Sequence, residues 1–153
     1  MNILYRILGI IVNTAAIFLA VSIVMSIPVL LSSPLNMLSA FMLLSIVLYA
    51  WFSNKFYKQV LLKQQPVPSK LRDWIRVNGI VSLVYSLFII MGMMAFISNP
   101  TLILDQMKEM GVTVPTNSLT AMLYALLAFG VVLLVHVVWT FTLLKKNILY
   151  FKS

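Results

Sequence analysis

The sequence predicts an all-α, polytopic membrane protein in which four transmembrane helices form an antiparallel bundle. The first observation is composition: 62% of the 153 residues are hydrophobic and 9% are charged, whereas soluble domains are about 25% charged. The second is that Asp, Glu, Lys and Arg are absent from three long blocks, 7–54, 77–104 and 110–144. Each block exceeds the roughly 20 residues with which a helix crosses a bilayer. The first block is long enough to cross twice, so we expect four crossings in a single transmembrane domain, 1–153.

The first block contains two predicted helices, at about 4–31 and 35–62. Arg6 precedes an apolar run that is longer than the 7–15 apolar residues of a secretory signal, so we expect a retained helix. Pro28 should kink or end this helix, because proline removes a backbone donor. A Ser-Ser-Pro turn at 32–34 separates the two helices, since these residue types initiate turns.

A polar hinge at 64–68 divides the chain into two helix pairs. It contains two prolines, which prevent a continuous helix. The third helix is predicted at about 70–98, and Asp73 in its first turn opposes the helix dipole. Asp73 also lies three residues before Arg76, a spacing at which the two side chains can pair. Capping and pairing therefore explain Asp73 better than a catalytic carboxylate does.

A short amphipathic helix is predicted at about 100–110, in the outer loop between the third and fourth transmembrane helices. Asn99 can cap it, Pro100 suits its first position, and Gly111 suits the residue after its end. Its apolar and polar residues are spaced so that the helix is amphipathic, which is typical of a helix on a membrane surface. Its role is a connector or, as the alternative, a lid over a site. The fourth transmembrane helix is predicted at about 118–146.

Basic residues are distributed unequally between the two predicted sides of the membrane. Of the 11 Lys and Arg residues, only Lys108 lies in the outer loop, and the remaining ten lie at the termini and the hinge. Cytoplasmic segments carry such an excess, so both termini and the hinge are predicted to be cytoplasmic. The absence of cysteine fits a bacterial inner membrane. The predicted contacts with anionic membrane lipids are Lys55, Lys58, Lys63, Lys70, Arg72, Arg76, Lys145 and Lys146.

Aromatic residues are predicted at the same cytoplasmic interface, where amphipathic rings prefer to lie. They are Trp51, Trp74, Trp139, Tyr5, Tyr49, Tyr57 and Tyr150. A further pattern, Arg-x-x-Gly followed by two β-branched residues, begins at Arg6 and again at Arg76. It raises the hypothesis that the two helix pairs are a duplication, although apolar sequences also produce such matches by chance.

His136 is the only histidine and is predicted deep in the bilayer. It lies nine residues before Lys145, about 14 Å along the fourth helix and near the midplane. At that depth a neutral imidazole should bond to polar side chains of neighbouring helices. Thr140 is one turn away on the same helix. The other polar residues of comparable depth are Asn13, Ser45, Ser82, Tyr85 and Ser86.

Three functional alternatives remain for His136. A quinone, lipid or other apolar small molecule could bind in a pocket beside it. Haem ligation would need a second axial ligand from a methionine or another subunit. A serine hydrolase would need an activated serine, but no Gly-x-Ser-x-Gly motif surrounds the serines of the third helix. The candidate ligand-binding residues are His136, Asn13, Ser82, Tyr85 and Thr140.

Composition also limits the function class. The positive charges flank membrane spans, so topology explains them better than nucleic-acid binding does. The predicted spans contain no Asp, Glu, Lys or Arg in their longest parts, which argues against an ion-coupled transporter. We expect no enzymatic activity, no catalytic residue, no metal and no cofactor.

Two functional hypotheses follow. The first is an accessory or scaffolding subunit that packs against other membrane proteins or forms a homo-oligomer. The second is a binding protein or carrier for an apolar small molecule, a quinone or lipid, near His136. The first depends on short loops, on the lack of a catalytic or ion-conducting constellation, and on small-residue faces that let helices approach closely. These faces comprise Gly9, Asn13, Ala16 and Ala20 on the first helix and Gly79, Ser82 and Ser86 on the third.

Overall fold

The computed structural model describes residues 3–99, 101 and 115–152, and this part of the chain is almost entirely helical. Its helices are α1 (Ile3–Met25), α2 (Ile27–Leu30), α3 (Pro34–Phe56), α4 (Ser69–Ser98) and α5 (Thr116–Lys146). Four helices within the described residues are long and apolar enough to cross a membrane, which confirms that prediction. The amphipathic helix predicted at about 100–110 lies outside the described residues, apart from Thr101.

The predicted first helix is interrupted close to Pro28. Ser26 separates α1 from α2, and Pro28 is an early residue of α2. The interruption has a local cause, because proline has no N–H to continue the helical ladder. α3 begins at the predicted turn, where the Ser33 side chain accepts the backbone N–H of Asn36 at 3.2 Å. Pro34 is the first residue of α3, a position where its missing N–H has no helical partner.

A π-helical segment, Tyr57–Leu62, follows α3 directly and extends the apolar span to Pro34–Leu62. Backbone bonds in a π-helix join residues five apart, and such segments occur frequently at functional sites. The backbone of Gln64 is left-handed, with φ 50°. The N–H of Gln65 donates to the Gln59 carbonyl at 2.9 Å, and this bond closes the helix end.

The hinge and the carboxyl-terminal tail form a short parallel pair of strands. β1 (Val67–Pro68) pairs with β2 (Phe151–Lys152), and Val67 lies opposite Phe151. The ring of Phe151 also stacks on Phe56, with centroids 5.9 Å apart. The sequence did not predict this pair, because two-residue strands carry no periodic pattern. The pairing joins the start of α4 to the chain that follows α5.

The buried core lies between α1, α3, α4 and α5. It includes Val12, Ile46, Ile75, Leu133 and Val137. Large apolar side chains on the outward faces of the helices remain exposed, for example Phe18, Trp51 and Phe88. An apolar exterior of this kind is compatible with a small integral membrane protein, for which lipid is the surrounding solvent.

The small-residue face of α4 packs within the chain, and that of α1 does so in part. On α1, Ala16 is buried, and on α4 Gly79, Ser82 and Ser86 are buried. Small residues let neighbouring backbones approach closely, and here the neighbours are other helices of the same chain.

Candidate functional site

His136 lies at the centre of a buried polar cluster in which α1, α3 and α5 meet. Only 1% of its surface is exposed, and its Nδ1 lies 2.8 Å from the hydroxyl of Tyr49. The ring of Tyr5 stacks on the imidazole, with centroids 4.9 Å apart and planes 13° apart. Two tyrosines from different helices therefore fix the orientation of the ring.

Thr140 completes the cluster and fixes the direction of its hydrogen bonds. Its hydroxyl donates to the His136 carbonyl at 2.7 Å, so its oxygen must accept from Tyr5 at 3.1 Å and from Tyr49 at 2.9 Å. Because the Tyr49 proton is then used, Nδ1 of His136 must donate to Tyr49. This is the one assignment in which all four contacts are hydrogen bonds. In a neutral ring it leaves Nε2 as an acceptor.

Nε2 of His136 points towards Gly9 on α1. A Cβ atom added at Gly9 would lie 3.4 Å from Nε2. The absence of a side chain there leaves Nε2 at the edge of a cavity that His136 lines, although the residue as a whole is only 1% exposed. Nε2 has no hydrogen-bond partner among the residues that the structure describes. The acceptor is available to a bound molecule.

A cavity of about 460 Å³ lies against this side of His136, between α1, the end of α3 and the π-helical segment. The volume is within the range of about 300–1,000 Å³ that small-molecule sites occupy. Arg6 and Lys58 contribute positive charge to its lining, and His136 and Asn13 contribute neutral polar groups. The remaining lining residues are Tyr5, Gly9, Ile10, Thr14, Ile17, Ser53, Asn54, Tyr57 and Leu62.

The lining changes character along α1. Arg6 lies three residues before Gly9, about 4.5 Å along the helix, and Ile17 lies eight residues beyond Gly9, about 12 Å further. Along α1 the lining therefore begins at the cationic Arg6 and ends at the apolar Ile17, with the imidazole level and the polar Asn13 and Thr14 between them. Such a gradient matches an amphiphile with a negative head and an apolar chain.

The π-helical segment forms the opposite wall of the cavity. Its residues Tyr57 and Leu62 and the preceding Ser53 all line the cavity, at spacings of four and five residues. Residues five apart share a face where backbone bonds run to the fifth residue, so the π-helical winding keeps Leu62 on the cavity side. The Tyr57 ring also lies 6.1 Å from that of Tyr5, which fastens this wall to α1.

The cationic end of the cavity has no carboxylate partner in the described chain. The ion pair of the described residues joins Arg72 to Asp73 at 3.1 Å, which corrects the predicted pairing of Asp73 with Arg76. The sequence has only two further acidic residues, Asp105 and Glu109, and both follow α4. Arg6 and Lys58 can therefore be neutralised by an anion from outside the chain.

The chain matches no protein-family model, no curated protein and no solved structure. The arrangement of its own side chains is therefore the basis for any functional argument.

The structure brings together some of the predicted ligand-binding residues and separates others. His136 and Asn13 line the cavity, and the Asn13 amide donates to the Gly9 carbonyl at 2.7 Å. Thr140 is fully buried behind the imidazole. Ser82 donates to the Asn78 carbonyl on its own helix. Ser82 and Tyr85 of α4 are not among the cavity-lining residues.

The predicted lipid-contacting residues are mostly exposed, and Lys58 also lines the cavity. Arg72 is partly covered and holds Asp73. The exposed members are Lys55, Lys58, Lys63, Lys70, Arg76, Lys145 and Lys146.

Sequence reasoning missed Tyr5 and Tyr49 as partners of His136. Both were predicted at the lipid interface, but their exposed fractions are 4% and 0%. A signal for Tyr49 was present, because Ser45, Tyr49 and Ser53 are spaced by four residues and form one polar helix face. No comparable signal distinguished Tyr5, since the residues around it are apolar or charged.

Proposed function

We propose that this chain is a non-enzymatic integral membrane protein that binds an amphiphilic small molecule, a lipid or a quinone, in the cavity beside His136. One observation carries the proposal: the cavity of about 460 Å³ runs from the cations Arg6 and Lys58, past the imidazole, to the apolar Ile17. The fixed orientation of His136 supports a binding role, because a rigid polar group pays less entropy when it bonds to a ligand. The proposal includes a carrier role, in which the protein transfers its ligand from one membrane or protein to another.

The proposed orientation places both termini and the hinge on the cytoplasmic side of a bacterial inner membrane, with the four helices antiparallel. The distribution of Lys and Arg supports it. The cationic end of the cavity would then lie at the cytoplasmic interface, where lipid headgroups lie. Its apolar end would lie in the hydrocarbon.

The accessory-subunit hypothesis has weaker support. Among its supports were small-residue faces, and those of α4 and Ala16 of α1 are buried within the chain. Gly9 and Asn13 of α1 line the cavity. Homo-oligomers and complexes with other membrane proteins remain distinct outcomes of the experiment below.

Native mass spectrometry of the protein extracted in a mild detergent tests the proposal, because it reports bound small molecules and bound subunits together. We expect a monomer with one bound amphiphile. In an Ile10→Trp variant, the larger side chain should fill the cavity and remove the bound mass. Ile11→Trp is the matched control, since Ile11 is exposed on the same helix and does not line the cavity.

Retention of the same bound mass by Ile10→Trp would place the molecule elsewhere and reject the proposal. If the spectra show a bound protein subunit and no bound small molecule, and Ile10→Trp does not remove that subunit, the result would support the accessory-subunit hypothesis instead.

A further inference from the structure

We propose that the occupant of the cavity is a lysophospholipid: a glycerophosphate with one acyl chain and one free glycerol hydroxyl. The inference rests on the proposed function and names the ligand class. Three features of the cavity carry it: two cations with no carboxylate partner among the described residues, an imidazole acceptor one helical turn deeper, and the isoleucines Ile10 and Ile17 along α1.

The phosphate is assigned to the cationic end. Arg6 and Lys58 lie on opposite walls, on α1 and the π-helical segment. The start of α1 is fastened to that segment by the contact between Tyr5 and Tyr57. Guanidinium and ammonium groups make strong, charge-assisted bonds to phosphate oxygens. The described chain supplies them no competing carboxylate, since Asp73 is held by Arg72.

The free hydroxyl is assigned to Nε2 of His136. The hydrogen-bond count makes Nδ1 the donor to Tyr49, so Nε2 accepts. A ligand must therefore present a donor at the level of Gly9, about 4.5 Å deeper than Arg6 along α1. In a lysophospholipid the hydroxyl of the central glycerol carbon follows the phosphate at about this depth. In a diacyl lipid that oxygen is esterified and cannot donate.

The acyl chain is assigned to the end of the cavity at Ile17, and Ile10 adds an apolar side chain near the imidazole level. A cavity of about 460 Å³ lies in the lower half of the range of about 300–1,000 Å³ for small-molecule sites, and it suits one chain better than two. Because the cavity is partly open, the end of a longer chain can continue into the surrounding lipid.

The same features disfavour a quinone. A quinone carbonyl accepts hydrogen bonds and offers no donor to Nε2, and it carries no charge for Arg6 and Lys58. A quinol supplies the donor but not the anion. A lysophospholipid supplies both.

Four ligands that differ by one group each test the assignment on the unmodified protein, in nanodiscs of zwitterionic phosphatidylcholine. They are 1-oleoyl-glycerol-3-phosphate, 3-(oleoyloxy)propyl phosphate without the hydroxyl, 1-oleoylglycerol without the phosphate, and dioleoyl phosphatidic acid with two chains. Equilibrium binding of the radiolabelled compounds should rank the first highest. Loss of the hydroxyl should weaken binding roughly three- to tenfold, and loss of the phosphate by more than about tenfold.

Two pairs of variants locate the groups responsible. Gly9→Ala places a methyl group 3.4 Å from Nε2 and should remove the preference for 1-oleoyl-glycerol-3-phosphate over 3-(oleoyloxy)propyl phosphate. Gly92→Ala is its control, because a Cβ there meets nothing within 4 Å. Lys58→Gln should weaken only the phosphate-bearing ligands, whereas Lys146→Gln, at an exposed position outside the cavity lining, should not.

The outcomes separate the two proposals. Equal binding of all four ligands, or tighter binding of decylubiquinone, would overturn the lysophospholipid assignment while the proposed amphiphile site stands. If none of these ligands binds, and the bound mass in native mass spectrometry is still present in Ile10→Trp, both the lysophospholipid assignment and the proposed amphiphile site would be rejected. A preference for 1-oleoyl-glycerol-3-phosphate that both Gly9→Ala and Lys58→Gln leave unchanged would place the lysolipid elsewhere and overturn the assignment.

Discussion

Two glycines of the same sequence pattern, Gly9 on α1 and Gly79 on α4, contact α5 in opposite ways. A Cβ added at Gly79 would lie 2.7 Å from the ring of Phe141, so α4 and α5 pack there without room for one methyl group. A Cβ at Gly9 would lie 3.4 Å from Nε2 of His136, an ordinary contact, and the cavity begins beside it. The comparison distinguishes a packed side of α5, where there is no room for a methyl group beside Gly79, from an open side, where a methyl group at Gly9 would fit and the cavity reaches His136.

The difference also bears on the possible duplication of the two helix pairs. Arg6 and Gly9 both line the cavity. Gly79, the counterpart of Gly9, is instead buried against Phe141. If the halves share an origin, the matching positions now have different roles.

The largest expected effect on stability comes from disrupting the close packing between α4 and α5 at Gly79. Gly79→Ala must displace the Phe141 ring, and its Cβ would also lie 3.4 Å from Tyr49. Overpacking of this kind costs about 1–3 kcal/mol. Thermal unfolding in detergent should show a clear drop in midpoint. Gly92→Ala should leave the midpoint unchanged or slightly raised, since its Cβ meets nothing within 4 Å and alanine favours helix. Equal midpoints for the two variants would contradict the close packing.

An intermediate effect on stability is expected from Thr140, in the polar cluster around His136. Thr140→Val keeps the shape of the side chain but removes the oxygen that accepts from Tyr5 and Tyr49. The loss should destabilise the protein by about 1–2 kcal/mol. Thr142→Val is the control, because Thr142 is exposed and donates only to a carbonyl of its own helix. The same unfolding measurement checks both, and similar midpoints would show that the cluster contributes little.

The smallest effect on stability is expected at the open side. Gly9→Ala should change the free energy of unfolding by less than about 0.5 kcal/mol, as substitutions away from tight packing usually do. Its effect should fall on ligand binding instead. If Gly9→Ala destabilised the protein as much as Gly79→Ala, the two sides of α5 would not differ as the structure indicates.

Much of the fold was predictable because it depends on local sequence. The spans at about 35–62, 70–98 and 118–146 follow from uncharged blocks, and the structure gives Pro34–Leu62, Ser69–Ser98 and Asn117–Lys146. The break near Pro28 follows from the missing backbone donor of proline. The pairing of the hinge with the tail was not predictable, because it joins two-residue segments from distant parts of the chain.

The candidate site was predicted only in part. His136 was identified from its depth, and Asn13 and Thr140 from their polarity, but Ser82 and Tyr85 on α4 were grouped with them although they do not line the cavity. Tyr5 and Tyr49 were assigned to the interface because tyrosines prefer it. Their hydroxyls instead bond within the protein.

The sequence alone determined that four long apolar helices form and that positive charge gathers at the hinge and termini, because both depend on composition and neighbouring residues. Only the tertiary structure decided which helix faces meet. In a protein of this composition the outward and inward faces are both apolar, so hydrophobic periodicity does not indicate how each helix is rotated. The rotation that brings Tyr5, Tyr49 and Thr140 to His136, and leaves a cavity beside Gly9, depends on packing between residues far apart in the chain.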